Sequence, residues 1–176
     1  MTELRTIHTA DLDAATRSAI RGLLDAAFGM ISDDTYENVL GGMHTLVLED
    51  GALIGHASVV PRRMLHGGQW LRAGYIEGVA VRKDRRRRGH GDEMMAVLER
   101  FVRSGYQIGA LGASDDGARL YSSRGWLRWR GPLSALTPDG IRRTPDKDGT
   151  VWILPVSEPL DLSAALTCDW RPGSVW

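Results

Sequence analysis

Apolar side chains recur at helical spacing in residues 12–28 and again, over a shorter stretch, in residues 36–40. Recurrence at every third or fourth position predicts amphipathic helices that bury one face. Ser32 or Asp33 can cap the second helix, and Gly41-Gly42 can end it. The sequence therefore predicts two helices before its first strand.

Strand-like runs joined by glycine-containing turns follow the two helices. Residues 45–49 and 52–60 flank Asp50-Gly51, and an Asp-Gly pair between two such runs is a strong hairpin signal. Gly67-Gly68 marks a second hairpin, whose returning strand is predicted to cover residues 69–81. The middle of the chain thus predicts antiparallel strands.

The second half of the chain alternates between helical and strand-like patterns. It predicts a helix over residues 91–102, a strand over 106–113, a helix over 118–124, and strands over 126–136 and 150–156, with a Pro-, Gly- and Asp-rich loop at 137–149. No repeat or linker interrupts this order. We therefore predict one mixed α/β (α+β) domain that spans residues 1–176.

The composition is that of an ordinary soluble protein, with 43% hydrophobic and 25% charged residues. Charged positions near the N-terminus argue against a secretory signal, and no apolar run is long enough to cross a membrane. Cys168 is the only cysteine, which rules out an internal disulfide and favours a small buried thiol. These features predict a cytoplasmic protein.

Charge is uneven along the chain, although basic and acidic residues are equal in number, 22 each. Residues 82–88 hold six basic residues and one acid, and the rest of the chain carries five more acids than bases. The basic stretch leads into R-x-x-G-x-G at residues 86–91, between a β-rich run and a helical pattern. Backbone N–H groups at a glycine-rich helix start, together with guanidinium groups, predict a pyrophosphate site.

Two other interpretations of the basic run stay open from the residues alone: a solvated turn and a nucleic-acid patch. The run is confined to one turn, and only Trp70 and Tyr75 lie near it in sequence as aromatic residues for base stacking. We therefore expect no nucleic-acid partner. The five histidines show no metal-like spacing, so we also expect no metal.

The strand ending in Val-Ala-Val, the R-x-x-G-x-G turn and the helix after it are similar to the acyl-CoA site of the GNAT N-acetyltransferases. Tyr121, in Leu-Tyr-Ser-Ser-Arg-Gly-Trp, resembles the downstream tyrosine of that superfamily. Four further blocks resemble the aminoglycoside 2'-N-acetyltransferases: residues 40–44 (LGGMH), 75–82 (YIEGVAVR), 144–150 (TPDKDGT) and 168–171 (CDWR), followed by a final tryptophan. The resemblance therefore spans most of the chain.

The resemblance implies a GNAT fold, a twisted and mostly antiparallel sheet flanked by helices and opened at the cofactor strand. It implies that acetyl-CoA is the co-substrate and that Val79, Ala80 and Val81 meet its pantetheine arm. The implied pyrophosphate cradle consists of Arg86, Arg87, Arg88, Gly89, His90 and Gly91. A homodimer is the assembly that the family leads us to expect.

Acetyl transfer to an amine needs a base, because amines are mostly protonated near neutral pH. Glu77 is the candidate base, and its apolar or small neighbours would raise its pKa. Tyr121 is the candidate acid, since a phenol can protonate or hydrogen-bond the departing thiolate. A backbone N–H in residues 79–81 is the expected oxyanion donor. The alternatives are a structural salt bridge for Glu77 and a packing role for Tyr121.

A polyamine sugar would be held by carboxylates and carbonyl groups around a cleft. The substrate-binding positions that the resemblance indicates are Met30, Asp33, Asp34, Glu77, Gly78, Gly112, Asp146, Lys147 and the C-terminal carboxylate of Trp176. The alternative for Trp176 is an ordinary frayed end.

The chain departs from the family pattern at its substrate end. Met30, Lys147 and Ser174 stand where acids are expected, and Gly112 stands where a serine is expected. Lys147 would repel a cationic substrate if its side chain pointed inward. The acids that could compensate are Asp33, Asp34, Asp115, Asp146 and Asp148. These departures bear on the preferred substrates more than on acetyl transfer.

The function predicted from the sequence is direct acetyl transfer from acetyl-CoA to the 2'-amine of an aminoglycoside antibiotic. One alternative is N-acetylation of another amine, such as a polyamine or an amino sugar. A second alternative, from a different class, is a non-catalytic module that binds acyl-CoA on the same fold.

Overall fold

The computed structural model describes the backbone of residues 1–176 and every side chain except that of Asp116. The strands are β1 (Thr2–His8), β2 (Met43–Glu49), β3 (Ala52–His66), β4 (Gln69–Val81), β5 (Ile108–Gly112), β6 (Leu127–Arg128), β7 (Leu133–Thr137), β8 (Gly140–Arg143), β9 (Val151–Pro155) and β10 (Leu166–Cys168). The helices are α1 (Ala14–Phe28), α2 (Asp33–Glu37), α3 (His90–Gly105) and α4 (Asp115–Ser123). Short 3-10 helices occupy Thr9–Asp11, Lys83–Arg85 and Pro145–Lys147.

The chain forms two compact units. The first unit comprises Met1–Val60 and Ile76–Arg100, and the second comprises Pro61–Tyr75 and Phe101–Trp176. Strands β3 and β4 and helix α3 each contribute residues to both units. Both units combine strands with helices, as the predicted mixed α/β class requires.

The first unit buries the apolar faces of its helices against antiparallel strands. Strand β1 pairs with β2, and β2 pairs with β3 across a tight turn. Ile20, Leu23 and Leu24 of α1 share one buried cluster with Leu46 of β2 and Ala80 of β4. Burial of each large apolar side chain is worth about 1.5–3 kcal/mol. The helical periodicity of residues 12–28 therefore marks the face that packs on the strands.

Helices α1 and α2 of the first unit each begin at a side-chain cap. Asp13 accepts a hydrogen bond from the Thr16 N–H at 2.7 Å, and Ser32 accepts one from the Thr35 N–H at 3.2 Å. Such caps satisfy backbone donors that have no partner inside the helix. The predicted cap at Ser32 is confirmed.

The second unit holds most of the strand pairings, in the order β6-β9-β5-β4-β3-β10-β7-β8. Strand β4 pairs with β5 and β10 with β7 in parallel, whereas the other described pairings of this unit are antiparallel. The parallel pairing of β4 joins residues 73–75 to residues 108–110. The expected mostly antiparallel sheet flanked by helices is confirmed.

A glycine lets the largest core side chain of the second unit lie against β5. Trp126 is fully buried, and a Cβ atom placed on Gly109 would lie 2.9 Å from its ring and 3.0 Å from Val102. Contacts that short would force a shift of packed side chains. Gly109 is therefore needed for close packing rather than for an unusual backbone angle.

Three strands were not predicted from the sequence. Strand β1 is almost wholly exposed, β8 is exposed at three of its four residues, and β10 is three residues long. None of them shows the alternation of apolar and polar side chains that marks a half-buried strand. They are formed by pairing with strands that have stronger patterns.

The predicted strand over residues 126–136 is wrong in its middle. The chain forms β6, leaves the ladder, and resumes as β7 at Leu133. A Cβ atom on Gly131 would lie 1.9 Å from the Ala164 carbonyl oxygen, so the backbone passes directly against another loop there. Pro132 follows, and a proline cannot donate to a ladder. The Gly-Pro pair therefore divides what the apolar pattern presents as one strand.

The C-terminal segment after β10 is fastened to the second unit by Arg62. This buried guanidinium donates to Asp169 Oδ1 at 2.8 Å and to the Val175 carbonyl at 2.7 Å. It also lies 4.7 Å from the centre of the Tyr75 ring, with Arg171 at 5.2 Å from the same ring. One side chain thus joins β3, β4 and the C-terminal segment.

We expect Arg62→Met to lower the free energy of unfolding by about 3 kcal/mol. That is the low end for breaking a buried ion pair, since the Asp169 side chain keeps part of its contact with water. Thermal or urea unfolding measures the change. Arg63→Met is the matched control, because Arg63 is exposed on the same strand. Equal losses for the two variants would contradict the anchoring role of Arg62.

Candidate active site

The basic turn between β4 and α3 has a defined backbone conformation in the first unit. Lys83–Arg85 form a 3-10 turn, Arg87 has a φ of 60° and Gly89 a φ of 88°. A non-glycine residue at positive φ is uncommon and costs about 1–3 kcal/mol. The turn thus holds Arg87 in a strained conformation just before α3 begins at His90.

Some arginines of this turn serve the fold. Arg85 pairs with Glu49 at 2.7 Å and with Asp84 at 2.6 Å. Arg82 pairs with Asp84 at 2.7 Å, and its backbone N–H donates to the Ile54 carbonyl at 2.8 Å. The hydrogen bond from Arg85 lowers the pKa of Glu49, which keeps that carboxylate charged. These bonds tie the turn to the β2–β3 hairpin.

The other arginines are available to an anion. Arg86 donates to the Val81 carbonyl at 3.1 Å and stays exposed. Arg87 and Arg88 are exposed, and neither side chain makes a hydrogen bond or an ion pair with any residue that the structure describes. The sequence predicted one undivided cluster. The structure separates it into structural and available guanidinium groups.

The N-terminus of α3 adds backbone donors beside these guanidinium groups. The first bond within the helix runs from the Glu93 N–H to the Gly89 carbonyl at 3.0 Å. The N–H groups of His90 and Gly91 therefore have no intrahelical acceptor, and the helix dipole favours an anion there. Asp92 and Glu93 in the first turn offset part of this positive potential.

Glu77 and Gly78 lie in β4, before residues 79–81. Glu77 is half-buried, and its Oε1 atom is buried. Gly78 has a φ of 56°, and a Cβ atom there would lie 2.8 Å from Val39 and 3.2 Å from the His56 ring. Val79 and Val81 are half-buried, whereas Ala80 is buried in the core. A carboxylate therefore precedes a left-handed glycine on the strand that leads to the basic turn.

Tyr121 lies on α4 in the second unit and is only 6% exposed. Burial raises the pKa of its phenol to about 12, so the group is protonated throughout the neutral range. Its ring contacts Trp126 edge-on, with 6.3 Å between ring centres. A buried neutral phenol can donate a hydrogen bond but does not readily lose its proton.

Gly112 lies beside Tyr75 and Trp176 in the second unit. A Cβ atom on Gly112 would lie 3.4 Å from Tyr75 Oη and 3.6 Å from the Trp176 carbonyl carbon. The Trp176 indole is buried and donates to Thr144 Oγ1 at 2.9 Å. Trp176 is thus docked and not frayed. Sequence reasoning included Gly112 and Trp176 but missed Tyr75 as their neighbour.

The predicted acidic positions are mostly engaged by neighbouring cations. The ion pairs are Asp33 with Arg21, Asp115 with Arg128, Asp146 with Lys147, and Asp148 with Arg143. Exposed pairs of this kind contribute about 0–1 kcal/mol each. Met30 is 94% exposed, on the α1–α2 connection, and Asp34 is exposed in α2. A cationic ligand could therefore displace these partners at little cost.

Among the described residues, no group of three or more His, Cys, Asp or Glu side chains is arranged to hold a metal ion. None of the described helices has both the length and the apolar character needed to span a membrane.

Comparison with known proteins identifies the family. The family described as acetyltransferase (GNAT) domain matches residues 4–128. The chain belongs to the GNAT acetyltransferases. The match contains β4, the basic turn, α3 and α4, so it includes the residues that carried the resemblance to the GNAT superfamily, whereas the blocks at residues 144–150 and 168–171 lie beyond it.

One curated relative of this GNAT protein matches almost the full chain. An aminoglycoside 2'-N-acetyltransferase from Mycolicibacterium fortuitum is 49% identical, and the match covers 98% of this chain and 91% of the relative. The resemblance inferred from the sequence is thereby confirmed.

Two solved structures support the fold. Escherichia coli ElaA has a TM-score of 0.61 at 20% identity, over 88% of this chain and 99% of that one. A GNAT family acetyltransferase from Brucella melitensis, solved in complex with acetyl-CoA, has a TM-score of 0.57 at 16% identity, over 92% of each chain. At such identities the likeness concerns the fold alone, and the assignment of individual site residues stays a prediction.

We expect Gly78→Ala to destabilise this GNAT protein by more than the roughly 1–3 kcal/mol that a positive φ costs a residue with a Cβ atom. The added methyl would also meet Val39 and His56. Thermal unfolding checks the change.

Gly51→Ala is the matched control, because Gly51 has a φ of 81° and nothing lies within 4 Å of the place that an added methyl would occupy. If Gly78→Ala and Gly51→Ala lower the melting temperature equally, the close contacts at Gly78 do not add to the loss of stability.

Proposed function

We propose that the protein transfers an acetyl group from acetyl-CoA to the 2'-amine of an aminoglycoside. The observation that carries the proposal is the full-length relationship, at 49% identity, to a protein named for that activity. The GNAT family match over residues 4–128 supports acetyl transfer as the reaction. Action as a cytoplasmic homodimer belongs to the same proposal.

The basic turn fits the pyrophosphate of coenzyme A. Arg86, Arg87 and Arg88 are exposed, Gly89 lets the backbone turn, and the N–H groups of His90 and Gly91 lack intrahelical acceptors. Guanidinium groups and helix N-termini are donors suited to phosphate oxygens. Val79, Ala80 and Val81 would lie along the pantetheine arm. Acetyl-CoA supplies the activated acetyl group as a thioester.

Glu77 is assigned the role of general base. An ammonium nitrogen has no lone pair for attack, so its proton must leave before the new C–N bond can form. The Glu77 carboxylate takes that proton, directly or through one water, and the neutral amine then attacks the thioester carbonyl carbon. As the tetrahedral intermediate collapses, the C–S bond breaks, and the nitrogen gives its second proton to the departing thiolate or to solvent. No covalent acyl-enzyme is required, because the amine itself is the nucleophile.

Tyr121 is assigned the role of donor to the departing sulfur. A thiolate with a conjugate acid near pKa 8.5 would gain a proton from a phenol of pKa about 12 only at a cost. The buried phenol therefore acts best as a hydrogen-bond donor that lowers the energy of the thiolate. Proton delivery can follow once the product has formed.

Candidate positions for the substrate lie in both units. Met30, Asp33 and Asp34 lie in the first unit, and Gly112, Asp146, Lys147 and Trp176 lie in the second. Lys147 pairs with Asp146 at 3.5 Å, which offsets its repulsion of a cationic sugar. We assign Asp34 as the carboxylate most open to an ammonium group, since no described residue pairs with it.

A second candidate is N-acetylation of an amine with fewer positive charges. The intramolecular ion pairs of Asp33, Asp115, Asp146 and Asp148 favour it, because they leave less uncompensated negative charge for a polycation. The reacting groups would be the same, and only the substrate contacts would differ.

The deciding experiment measures thiol release from acetyl-CoA against a panel of amines. The panel contains aminoglycosides with and without a 2'-amine, linear polyamines and simple amino sugars. We expect release only with aminoglycosides that carry a 2'-amine. Release with simple amino sugars would support the second candidate, release with linear polyamines would contradict both candidates, and coenzyme binding without any release would indicate a non-catalytic module.

We expect the double variant with Arg87→Ala and Arg88→Ala to bind acetyl-CoA at least about tenfold more weakly, because hydrogen bonds to charged groups contribute about 1.5–3 kcal/mol each. Calorimetry at two salt concentrations measures the loss and its ionic part. Arg103→Ala is the control, since Arg103 is an exposed arginine at the other end of α3. Unchanged affinity in the double variant would remove this turn from the coenzyme site.

We expect Tyr121→Phe to lower kcat about a hundredfold, the scale of one lost hydrogen-bond donor in the transition state, while acetyl-CoA affinity stays unchanged. The phenylalanine ring keeps the packing against Trp126 and loses only the donor. Steady-state kinetics and calorimetry separate the two effects. Tyr106→Phe is the control, because it removes a half-buried phenol elsewhere in the second unit. A Tyr121→Phe enzyme with full turnover would exclude Tyr121 from the mechanism.

A further inference from the structure

Three side chains of the first unit form a continuous chain of hydrogen bonds that ends on β4. Thr9 Oγ1 lies 2.6 Å from His44 Nε2, and His44 Nδ1 lies 2.9 Å from His56 Nε2. His56 Nδ1 lies 2.8 Å from the Gly78 carbonyl oxygen. Both imidazoles are completely buried. Residues far apart in sequence are thereby joined to the residue that follows the candidate base.

The Gly78 carbonyl, at the inner end of this hydrogen-bond chain, determines which group donates in every bond. A carbonyl oxygen only accepts, so His56 must carry its proton on Nδ1. A neutral imidazole then offers Nε2 as an acceptor, which requires His44 to donate from Nδ1. His44 Nε2 is left to accept, and the Thr9 hydroxyl donates to it. One carbonyl therefore sets the tautomer of both rings.

Both rings are held in the neutral form that this scheme needs. Burial lowers the pKa of His56 to about 4 and that of His44 to about 3. The Arg17 guanidinium and the His8 ring also disfavour a cation at His44. A proton added to His56 Nε2 would face the Nδ1–H of His44, and one added to His44 Nε2 would face the Thr9 hydroxyl proton. The chain therefore persists only while both imidazoles are neutral.

The outer end of the chain is fixed by backbone donors. Thr9 Oγ1 accepts the N–H groups of Gly41 at 2.9 Å and Gly42 at 3.2 Å. The Thr9 hydroxyl also lies 3.1 Å from the Gly42 carbonyl oxygen, which already accepts the Thr9 backbone N–H at 3.0 Å. Because His44 Nε2 is closer, at 2.6 Å, the single hydroxyl proton is assigned to His44. The threonine thus couples the segment before β2 to the buried rings.

The inner end of the chain controls a peptide plane. The Gly78 carbonyl and the Val79 N–H belong to one planar peptide unit, and the described chain has no cis peptide bond. In a trans peptide these two groups point in opposite directions. Holding the carbonyl toward His56 therefore turns the Val79 N–H away from His56. The positive φ at Gly78 is compatible with this arrangement because the residue lacks a Cβ atom.

We propose that Thr9, His44 and His56 are positioning residues for the acetyl transfer, because their hydrogen-bond chain fixes the Gly78–Val79 peptide and with it the Val79 N–H and the adjoining Glu77. This inference rests on the proposed function, in which Glu77 is the base and a β4 amide stabilises the oxyanion. The chain is not a proton wire, since it ends on a carbonyl that has no proton to give and no site to release one.

The test compares two substitutions of His56. His56→Asn places an amide N–H near the position of Nδ1 and can still donate to the Gly78 carbonyl, whereas His56→Leu cannot. We expect His56→Leu to lower kcat about a hundredfold, the cost of a small misplacement at a reacting centre, with an unchanged acetyl-CoA Kd. His56→Asn should restore most of the turnover. Equal kcat for the leucine variant and the unmodified protein, or equal loss in both folded variants, would overturn the proposal.

A second pair of variants keeps the proposal testable if His56→Leu does not fold. Thr9→Ser keeps the hydroxyl that donates to His44, and Thr9→Val removes it while keeping the side-chain shape. We expect kcat to fall in Thr9→Val and to be retained in Thr9→Ser. A Thr9→Val variant with undiminished kcat would count against the positioning role of the hydrogen-bond chain.

Nitrogen-15 NMR of the histidine rings tests the hydrogen-bond chain without reference to catalysis. We expect the Nδ1–H tautomer at both His44 and His56, and an Nε2–H tautomer at either ring would overturn the scheme. This readout also separates two failures. If the protein acetylates no aminoglycoside, the proposed function fails, while the NMR result still decides whether the hydrogen-bond chain exists.

Discussion

The hydrogen bond between His56 and the Gly78 carbonyl is the interaction on which the candidate chemistry depends. It holds a left-handed glycine in the middle of β4, where a regular strand would present a different peptide plane. Glu77 precedes that glycine, and residues 79–81 follow it into the basic turn. One buried bond therefore links the placement of a carboxylate to the placement of backbone amides.

Electrostatics divides the basic turn into two functional parts. Arg82 and Arg85 pair their charge with Asp84 and Glu49, which gives the turn a fixed shape. Arg87 and Arg88 remain exposed, and neither forms an ion pair with a described residue. A preorganised loop loses less conformational entropy when it binds an anion. Asp84 and Glu49 thus fix the shape of the turn without pairing with Arg87 or Arg88.

The sequence was informative where one local pattern determines the structure. The periodicity of residues 12–28, the Asp50-Gly51 turn and the glycine spacing at residues 86–91 predicted α1, the β2–β3 hairpin and the start of α3 correctly. The exposed strand β1 had no such pattern, and Gly131 divided a predicted strand through a contact with a remote loop. Local signals cannot report contacts that only the folded chain creates.

The same limit applied to the candidate site. Glu77 and Tyr121 were recognisable because a family pattern surrounds each of them, whereas nothing in the sequence connected Thr9, His44 and His56. The spacing of His44 and His56 is wrong for metal ligands, and the sequence indicates no other role for the two rings. Directional pairing of donors and acceptors became visible only when the buried rings were seen together.

The fixed donor-to-acceptor order of the hydrogen-bond chain constrains how homologous sequences can vary. Thr9, His44 and His56 each donate on one side and accept on the other, so replacing one of them by a side chain without those groups leaves its neighbour with a mismatched partner in a dry interior. Substitutions at positions 9, 44 and 56 should therefore be correlated among homologous proteins.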